Sequence, residues 1–250
     1  MKKKLIILTG PTAVGKTDLS IRLARTVGGE IISADSMQVY RRMDIGTAKI
    51  RPEEMDGVRH HLIDILEPTE SFNAFLFKEY ALKAANEIWE RGSIPIIVGG
   101  TGFYIQTLLY DIEFAKSDEN DGIRDELNKL YEEHGAAFLH DMLAKADPEY
   151  AAEVHENNVK KVIRAIEFYR QTGHKLSEHN TEQRERTSPY NFEYFVLSDD
   201  RAVLYERIDK RIDKMVEAGL IAEVQALLDE GVDRRSVAMQ GLGYKEIAAY

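Results

Sequence analysis

One stretch near the start constrains the fold more than any other. Gly10-Pro11-Thr12-Ala13-Val14-Gly15-Lys16-Thr17 fits the phosphate-loop pattern G-x-x-x-x-G-K-[ST]. It follows the apolar run Leu5-Ile6-Ile7-Leu8 and opens a segment with helical periodicity, which is the strand-to-helix context the motif requires. Glycines let backbone N–H groups curl around clustered anionic oxygens, and the following helix turns its positive dipole end toward them. Lys16 adds a point charge and the Thr17 hydroxyl can hold Mg²⁺. The expected ligand is a diphosphate or polyphosphate, and the pattern is shared by ATP-binding and other nucleotide-binding proteins.

Short apolar runs alternate with amphipathic stretches, as in a parallel sheet with crossover helices. Strands are expected near Leu5 to Thr9, Glu30 to Ala34, His61 to Leu66, Ile94 to Val98 and Tyr194 to Leu197. Helices are expected at Lys16 to Val27, Asn73 to Arg91 and Arg201 to Leu228. Between Asp118 and Tyr190 the strand signal disappears and apolar residues recur at helical spacing: Leu127, Leu130, Tyr131, then Val159, Val162, Ile163, Ile166. The expected fold is α/β: a doubly wound parallel sheet core containing the phosphate loop, with a helical insertion domain. Residues 1–117 and 191–250 form the core, and 118–190 the insertion.

Composition removes several classes. A 250-residue chain with 44% hydrophobic and 30% charged residues can bury a sizeable core and does not read as disordered. With 0 Cys there is no disulfide framework and no Cys-based metal site. Met1-Lys2-Lys3-Lys4 precedes an apolar run too short for a signal peptide, and no window approaches the roughly 20 apolar residues of a membrane helix. A cytoplasmic protein without membrane residence is expected. The net charge of −10 argues against a uniformly basic nucleic-acid surface, so any such surface must be local.

The chemistry served by the loop is decided elsewhere in the chain. A guanine-reading Asn-Lys-x-Asp is absent, since Asn128-Lys129-Leu130-Tyr131 lacks the acid. The strand Ile94 to Val98 ends in Gly99-Gly100-Thr101-Gly102, with no acidic Mg²⁺ ligand. The strand through Ile31 and Ile32 does end in an acid, Asp35, at the sheet edge where the phosphate loop also opens. There a carboxylate can bind Mg²⁺ or take a proton from an incoming amine or hydroxyl, or it can simply cap a turn.

These segments together carry a resemblance. Thr9 to Thr17, Ser33-Ala34-Asp35-Ser36-Met37-Gln38-Val39-Tyr40, Met43 to Lys49 and Val98-Gly99-Gly100-Thr101-Gly102-Phe103-Tyr104 resemble, in order, the tRNA dimethylallyltransferase family, also called tRNA isopentenyltransferases. The likeness continues through Asp147-Pro148, Asn157 to Glu167, Arg207 to Met215 and Gln240-Gly241-Leu242-Gly243-Tyr244-Lys245-Glu246. The resemblance implies transfer of the dimethylallyl group of dimethylallyl diphosphate to N6 of adenosine 37, in the tRNA anticodon stem-loop, by a monomer. It implies that Gly10, Pro11, Thr12, Ala13, Val14, Gly15, Lys16 and Thr17 hold the diphosphate, with Thr17 placing Mg²⁺ and Thr12 and Arg211 touching its oxygens. Asp35 would take the N6 proton, with Thr101 and Arg124 near the reacting groups. The implied tRNA contacts are Asp35, Ser36, Met37 and Gln38; Lys160, Lys161, Val162, Ile163 and Arg164; and Gln240, Gly241, Gly243, Tyr244 and Lys245.

Charge supports one of these segments independently. Lys160, Lys161, Arg164, Arg170 and Lys175 face a single acid, Glu167, in an otherwise acidic protein. His60 and His61 read as strand-edge residues rather than metal ligands. Trp89, Phe72, Phe75 and Phe77 read as core, and His174 and His179 as surface loop. The family runs some tens of residues beyond the position of Tyr250, so a truncated or short member is expected. Competing readings are a related transferase with a free adenine nucleotide as acceptor, a small-molecule phosphate-loop kinase with Arg124, Arg184 and Arg186 as lid arginines, and a non-enzymatic RNA-binding or nucleotide-sensing module.

Overall fold

The computed structural model describes residues 2–113 and 122–250. In chain order the elements are β1 (Lys4–Thr9), α1 (Lys16–Val27), β2 (Gly29–Ser33), β3 (His60–His61), α2 (Ala74–Glu90), β4 (Ile94–Gly99), α3 (Gly102–Leu109), α4 (Ile123–Ala146), α5 (Pro148–Glu153), α6 (Val159–Thr172), α7 (Leu176–Glu185), β5 (Asn191–Val196), α8 (Arg201–Glu217), α9 (Leu220–Asp229) and α10 (Tyr244–Ala248). The chain divides into two compact units, 1–111 with 188–250, and 112–187. The boundary expected at residue 117 and the Arg184 side chain lie outside the described residues. The second boundary falls at Ser188, three residues before the expected 191.

The first unit is built on a five-stranded parallel sheet in the order β3-β2-β4-β1-β5. The inner strands β1 and β4 read as near-continuous apolar runs because helices cover a parallel sheet on its faces. Leu5, Ile7, Leu8, Ile96 and Ile97 are all buried. The chain leaves β1 toward β2 on one side, while β4 sends it on to β5 on the other. This reversal opens a crevice beyond the carboxyl ends of β1 and β4, the usual ligand position in such sheets. Helix α1 stops at Gly28, whose left-handed φ of 66° suits glycine and whose N–H caps Ala24.

Two expected elements come out differently. The strand placed at His61 to Leu66 shrinks to His60–His61, since Leu62 and Asp64 adopt φ of 63° and 54°, which a strand cannot accommodate. An isolated parallel bridge between Tyr40 and Leu66 resumes the pairing. The single helix placed at Arg201 to Leu228 is two, broken at Gly219 with φ of 102°. Phe72 and Phe77 are core, but Phe75 is 48% exposed, a correction to its core assignment. Trp89 donates to the Lys4 carbonyl and stacks on Tyr190. His60 and His61 bind the Val58 carbonyl and Glu30, and the described residues contain no cluster of three His, Asp or Glu able to hold a metal. Among the described residues, no helix is long and apolar enough to cross a membrane.

The second unit is helical around its own core, with Leu127, Leu139 and Leu143 of α4 against Val162, Ala165 and Ile166 of α6. Asp147 organises it. Its carboxylate caps α5 at Tyr150 N and accepts from the Ser177 N–H and hydroxyl at the start of α7, while Pro148 fills the first helical position. His179, expected in a loop, lies on α7 with its ring against Phe168, while His174 is in the exposed turn before it.

Candidate active site

The phosphate loop leaves β1 against the end of β5, where Leu197 N–H donates to the Thr9 carbonyl at 2.7 Å. A Cβ on Gly10 would meet the Leu197 carbonyl oxygen at 2.6 Å, so only glycine permits this exit. Gly15 (φ 91°) starts α1 without a side-chain cap, leaving the first helical N–H groups to the loop. Lys16 folds back along the loop and donates to the Gly10 and Pro11 carbonyls at 2.9 and 2.7 Å. Thr12 and Thr17 are exposed on the same loop.

Asp35 is delivered to this edge by close backbone approach. Ala34 N–H donates to the Val98 carbonyl at 2.7 Å, and Thr101 N–H to the Ala34 carbonyl at 3.3 Å, tying the exits of β2 and β4 together. A Cβ on Gly99 would lie 2.8 Å from Ala34 Cβ and closer still to its carbonyl, so glycine is required there too. Asp35 Oδ1 accepts from Met37 N and Gln38 N at 2.8 and 3.2 Å. The turn-capping role is therefore real, but it consumes one oxygen; Oδ2 takes no hydrogen bond among the described residues.

Electrostatics place Asp35 in one neighbourhood with three other groups. Burial lowers the Lys16 ammonium from its ordinary value, the Asp35 charge works against that shift, and Arg211 adds to it. Burial likewise lowers the Arg211 guanidinium, again opposed by Asp35. Tyr104, stacked on Phe77 at 4.8 Å, has its phenol pushed up to about 12 by burial and by the negative charge of Asp35. Two cations beside one carboxylate in a half-buried crevice suit a ligand with strong negative charge next to a neutral group that loses a proton.

A loop after Met43 forms one wall. Gln38 Nε2 donates to the Thr47 and Ala48 carbonyls at 3.2 and 3.4 Å, and Arg211 Nη2 reaches the same Thr47 carbonyl at 3.4 Å. Gly241 lies against Met37, since a Cβ there would meet Met37 Sδ at 2.7 Å. Arg207 pairs with Asp199 at 2.9 Å and reaches the Ala13 carbonyl at 3.5 Å. Tyr104, Thr47 and Arg207 lie in segments that carry the resemblance but are not among the expected site residues, and Asp199 lies outside those segments; the fold makes all four neighbours of the crevice.

Of the expected tRNA contacts, Ser36, Met37, Gln38, Gln240 and Lys245 have surface available, and Gly243 is partly buried. Gly241 is buried with its neighbour Tyr244, which is 1% exposed and donates its hydroxyl to Glu223, so both support the surface from below. In the second unit Lys160, Lys161 and Arg164 are exposed on α6. Val162 and Ile163 belong to that unit's core, which corrects their assignment as contacts. The basic patch also contracts, because Arg170 pairs with Glu126 at 3.1 Å and Lys175 with Glu178 at 3.1 Å. Arg124 lies in this unit, ion-paired with the buried Glu167.

A phosphate loop at a sheet switch point, beside a carboxylate with one open oxygen and a half-buried arginine, is a site suited to a phosphorylated ligand. The family model described as IPP transferase matches residues 38–250, and the chain belongs to that family. It is 59% identical to the tRNA dimethylallyltransferase of Lachnoclostridium phytofermentans over 98% of this chain and 79% of that one. It is 50% identical to that of Carboxydothermus hydrogenoformans, over 100% and 80%. Among solved structures, the tRNA isopentenylpyrophosphate transferase of Bacillus halodurans superposes with a TM-score of 0.71 at 46% identity, covering 100% of this chain and 77% of that one. A eukaryotic dimethylallyltransferase acting on tRNA superposes at 0.87 with 33% identity, covering 99% and 63%.

Proposed function

We propose that this protein transfers the dimethylallyl group of dimethylallyl diphosphate to N6 of adenosine 37 in the anticodon stem-loop of tRNA, releasing diphosphate. The observation that carries the reading is the open Oδ2 of Asp35 beside Lys16 and Arg211, on the crevice that the phosphate loop enters. The names of the relatives and the family membership support it.

In this reading the loop N–H groups, Thr12, Lys16 and Arg211 hold the diphosphate of the donor. As the allylic C–O bond breaks, its electron pair stays on the diphosphate, and fixed positive groups there favour the transition state over the ground state. The N6 lone pair forms the new C–N bond, and the proton displaced from N6 passes to Asp35 Oδ2 and then to solvent. An exocyclic amine is a poor nucleophile, so its orientation by Asp35 counts as much as basicity. The donor set near the loop, a Thr17 hydroxyl with no carboxylate cluster among the described residues, fits a Mg²⁺ ion held chiefly by diphosphate oxygens and water. Such an ion would neutralise leaving-group charge.

Lys160, Lys161 and Arg164 suit a polyanionic acceptor rather than a free nucleotide. Unstacking the target base costs less in a loop than in a duplex. The test is nucleoside mass spectrometry after incubation with dimethylallyl diphosphate, Mg²⁺, unmodified tRNA and AMP together. A C₅H₈ mass gain on adenosine 37 alone is expected; a gain on AMP moves the acceptor to free nucleotides, and no gain on either refutes the reading.

A further inference from the structure

Glu223, on the first turn of α9, takes an unusual set of partners. Its Oε2 accepts from the backbone N–H groups of Asp44 and Ile45 at 2.9 and 2.8 Å, and its Oε1 from Gly46 N–H at 3.1 Å and from the Tyr244 hydroxyl. Three consecutive backbone donors and a phenol thus converge on one carboxylate. Gly46 allows the approach, since a Cβ there would fall 2.5 Å from the Tyr244 ring and 2.8 Å from Leu220. The other end of the same loop is held by Lys49, whose side chain is 4% exposed and donates to the Tyr40 carbonyl, Asp44 and Asp64 at 2.7, 2.6 and 2.5 Å.

Between these two anchors lies Thr47, whose carbonyl receives both Arg211 and Gln38. We infer that Glu223 is a positioning residue: by pinning Asp44 to Gly46 it fixes the Thr47 carbonyl, and through it the Arg211 guanidinium on the leaving-group side and the Gln38 amide on the acceptor side. Charge-assisted bonds to backbone N–H groups are among the stronger protein hydrogen bonds, and a guanidinium held in place before the ligand arrives has less freedom to lose on binding. The inference rests on the diphosphate reading of the crevice.

The experiment is a double-mutant cycle on the full chain, titrating inorganic diphosphate with Mg²⁺ by calorimetry, with prenyl transfer to tRNA assayed in parallel. Glu223→Gln keeps the size but removes the charge and places an amide donor opposite one or two of the three N–H groups. It should weaken diphosphate binding on the order of tenfold. In the Arg211→Ala background it should add less than about twofold, because Glu223 acts through Arg211. Equal losses in both backgrounds, or none in the first, overturn the inference, and a purely stabilising role would lower the melting temperature without that coupling. Should Glu223→Gln fail to fold, Tyr244→Phe removes one hydrogen bond from the same carboxylate and must show a smaller loss, again absent without Arg211; additivity there also overturns it. Coupling without prenyl transfer by the wild type counts against the proposed reaction alone, transfer with additive losses against this inference alone, and a wild type that binds no diphosphate against both.

Discussion

Gly99 and Ala34 are in backbone contact across the ends of β4 and β2, so that a Cβ on Gly99 would fall 2.8 Å from Ala34 Cβ and closer to the Ala34 carbonyl. Asp35 follows directly, and its position near Lys16 and Arg211 depends on this approach. Gly99→Ala should therefore cost about 1–3 kcal/mol of stability, as overpacking does, and reduce turnover beyond what the fold loses. Thermal melts and turnover of the remaining folded fraction check both; wild-type turnover per folded molecule would show that the approach does not place Asp35.

Asp35→Asn keeps a turn-capping oxygen but loses the proton acceptor. Turnover should fall by roughly 10²–10⁴, the usual range for a general base. Diphosphate affinity should hold or tighten, because the substitution removes negative charge near Lys16 and Arg211. A parallel loss of turnover and diphosphate affinity would contradict the acceptor-side role.

Lys16 is held below its ordinary value of 10.5 chiefly by burial. Only its charged form attracts diphosphate, so affinity is complete below the lowered value and is lost as pH rises through it, starting below 10.5. Affinity measured between pH 7 and 10.5 should bend downward in the wild type and stay flat in Lys16→Arg. Identical profiles would show that another group titrates.

Lys160 and Lys161 are exposed cations without an ion pair among the described residues. Replacing both by Glu should raise the tRNA KM about tenfold or more and flatten the slope of log affinity against log salt by about 1.5, from two lost phosphate contacts. The KM for dimethylallyl diphosphate should not move. An unchanged tRNA KM takes this face out of the RNA interface.

Asp147 in the second unit is pulled in two directions. Burial alone would raise its carboxyl, but the bonds from Ser177 and Tyr150 N–H outweigh it and hold it below its ordinary value. A depressed carboxyl stabilises the fold above its unfolded pKa and loses that contribution as pH falls through the folded one. Melting of this unit should thus weaken below about pH 4, while Asp147→Asn should be destabilised by about 1–3 kcal/mol at neutral pH and show a flatter acid limb. Circular dichroism melts between pH 2 and 7 distinguish the two.

How far the chain could be read depended on how local each feature is. The strand, phosphate loop and helix through Gly10 to Thr17 were legible because each residue's role is set by neighbours within one turn, and Asp35 was legible from its place after an apolar run. The break at Gly219 is not legible in the sequence because apolar periodicity continues across it, while the left-handed backbone is a property of that one residue. The basic patch is narrower than its charge count: counting charges along α6 and its surroundings cannot show that Arg170 meets Glu126, 44 residues away. Burial of Val162, Ile163 and Tyr244 follows from which helix face meets a neighbour, and a motif match does not carry that information.

Sequence by itself determined the chemistry this chain can offer: a phosphate-binding loop, a carboxylate at a strand end, and cations in an acidic protein. Tertiary structure alone decided which of these groups meet. The Asp35 Oδ1 is spent on its own turn and Oδ2 is left open, Arg211 and Gln38 share the Thr47 carbonyl, and Glu223 holds backbone N–H groups 177 to 179 residues away. The physical reason is that a hydrogen bond depends on position within a few tenths of an ångström, and between residues so far apart in the chain only the packed fold sets that position.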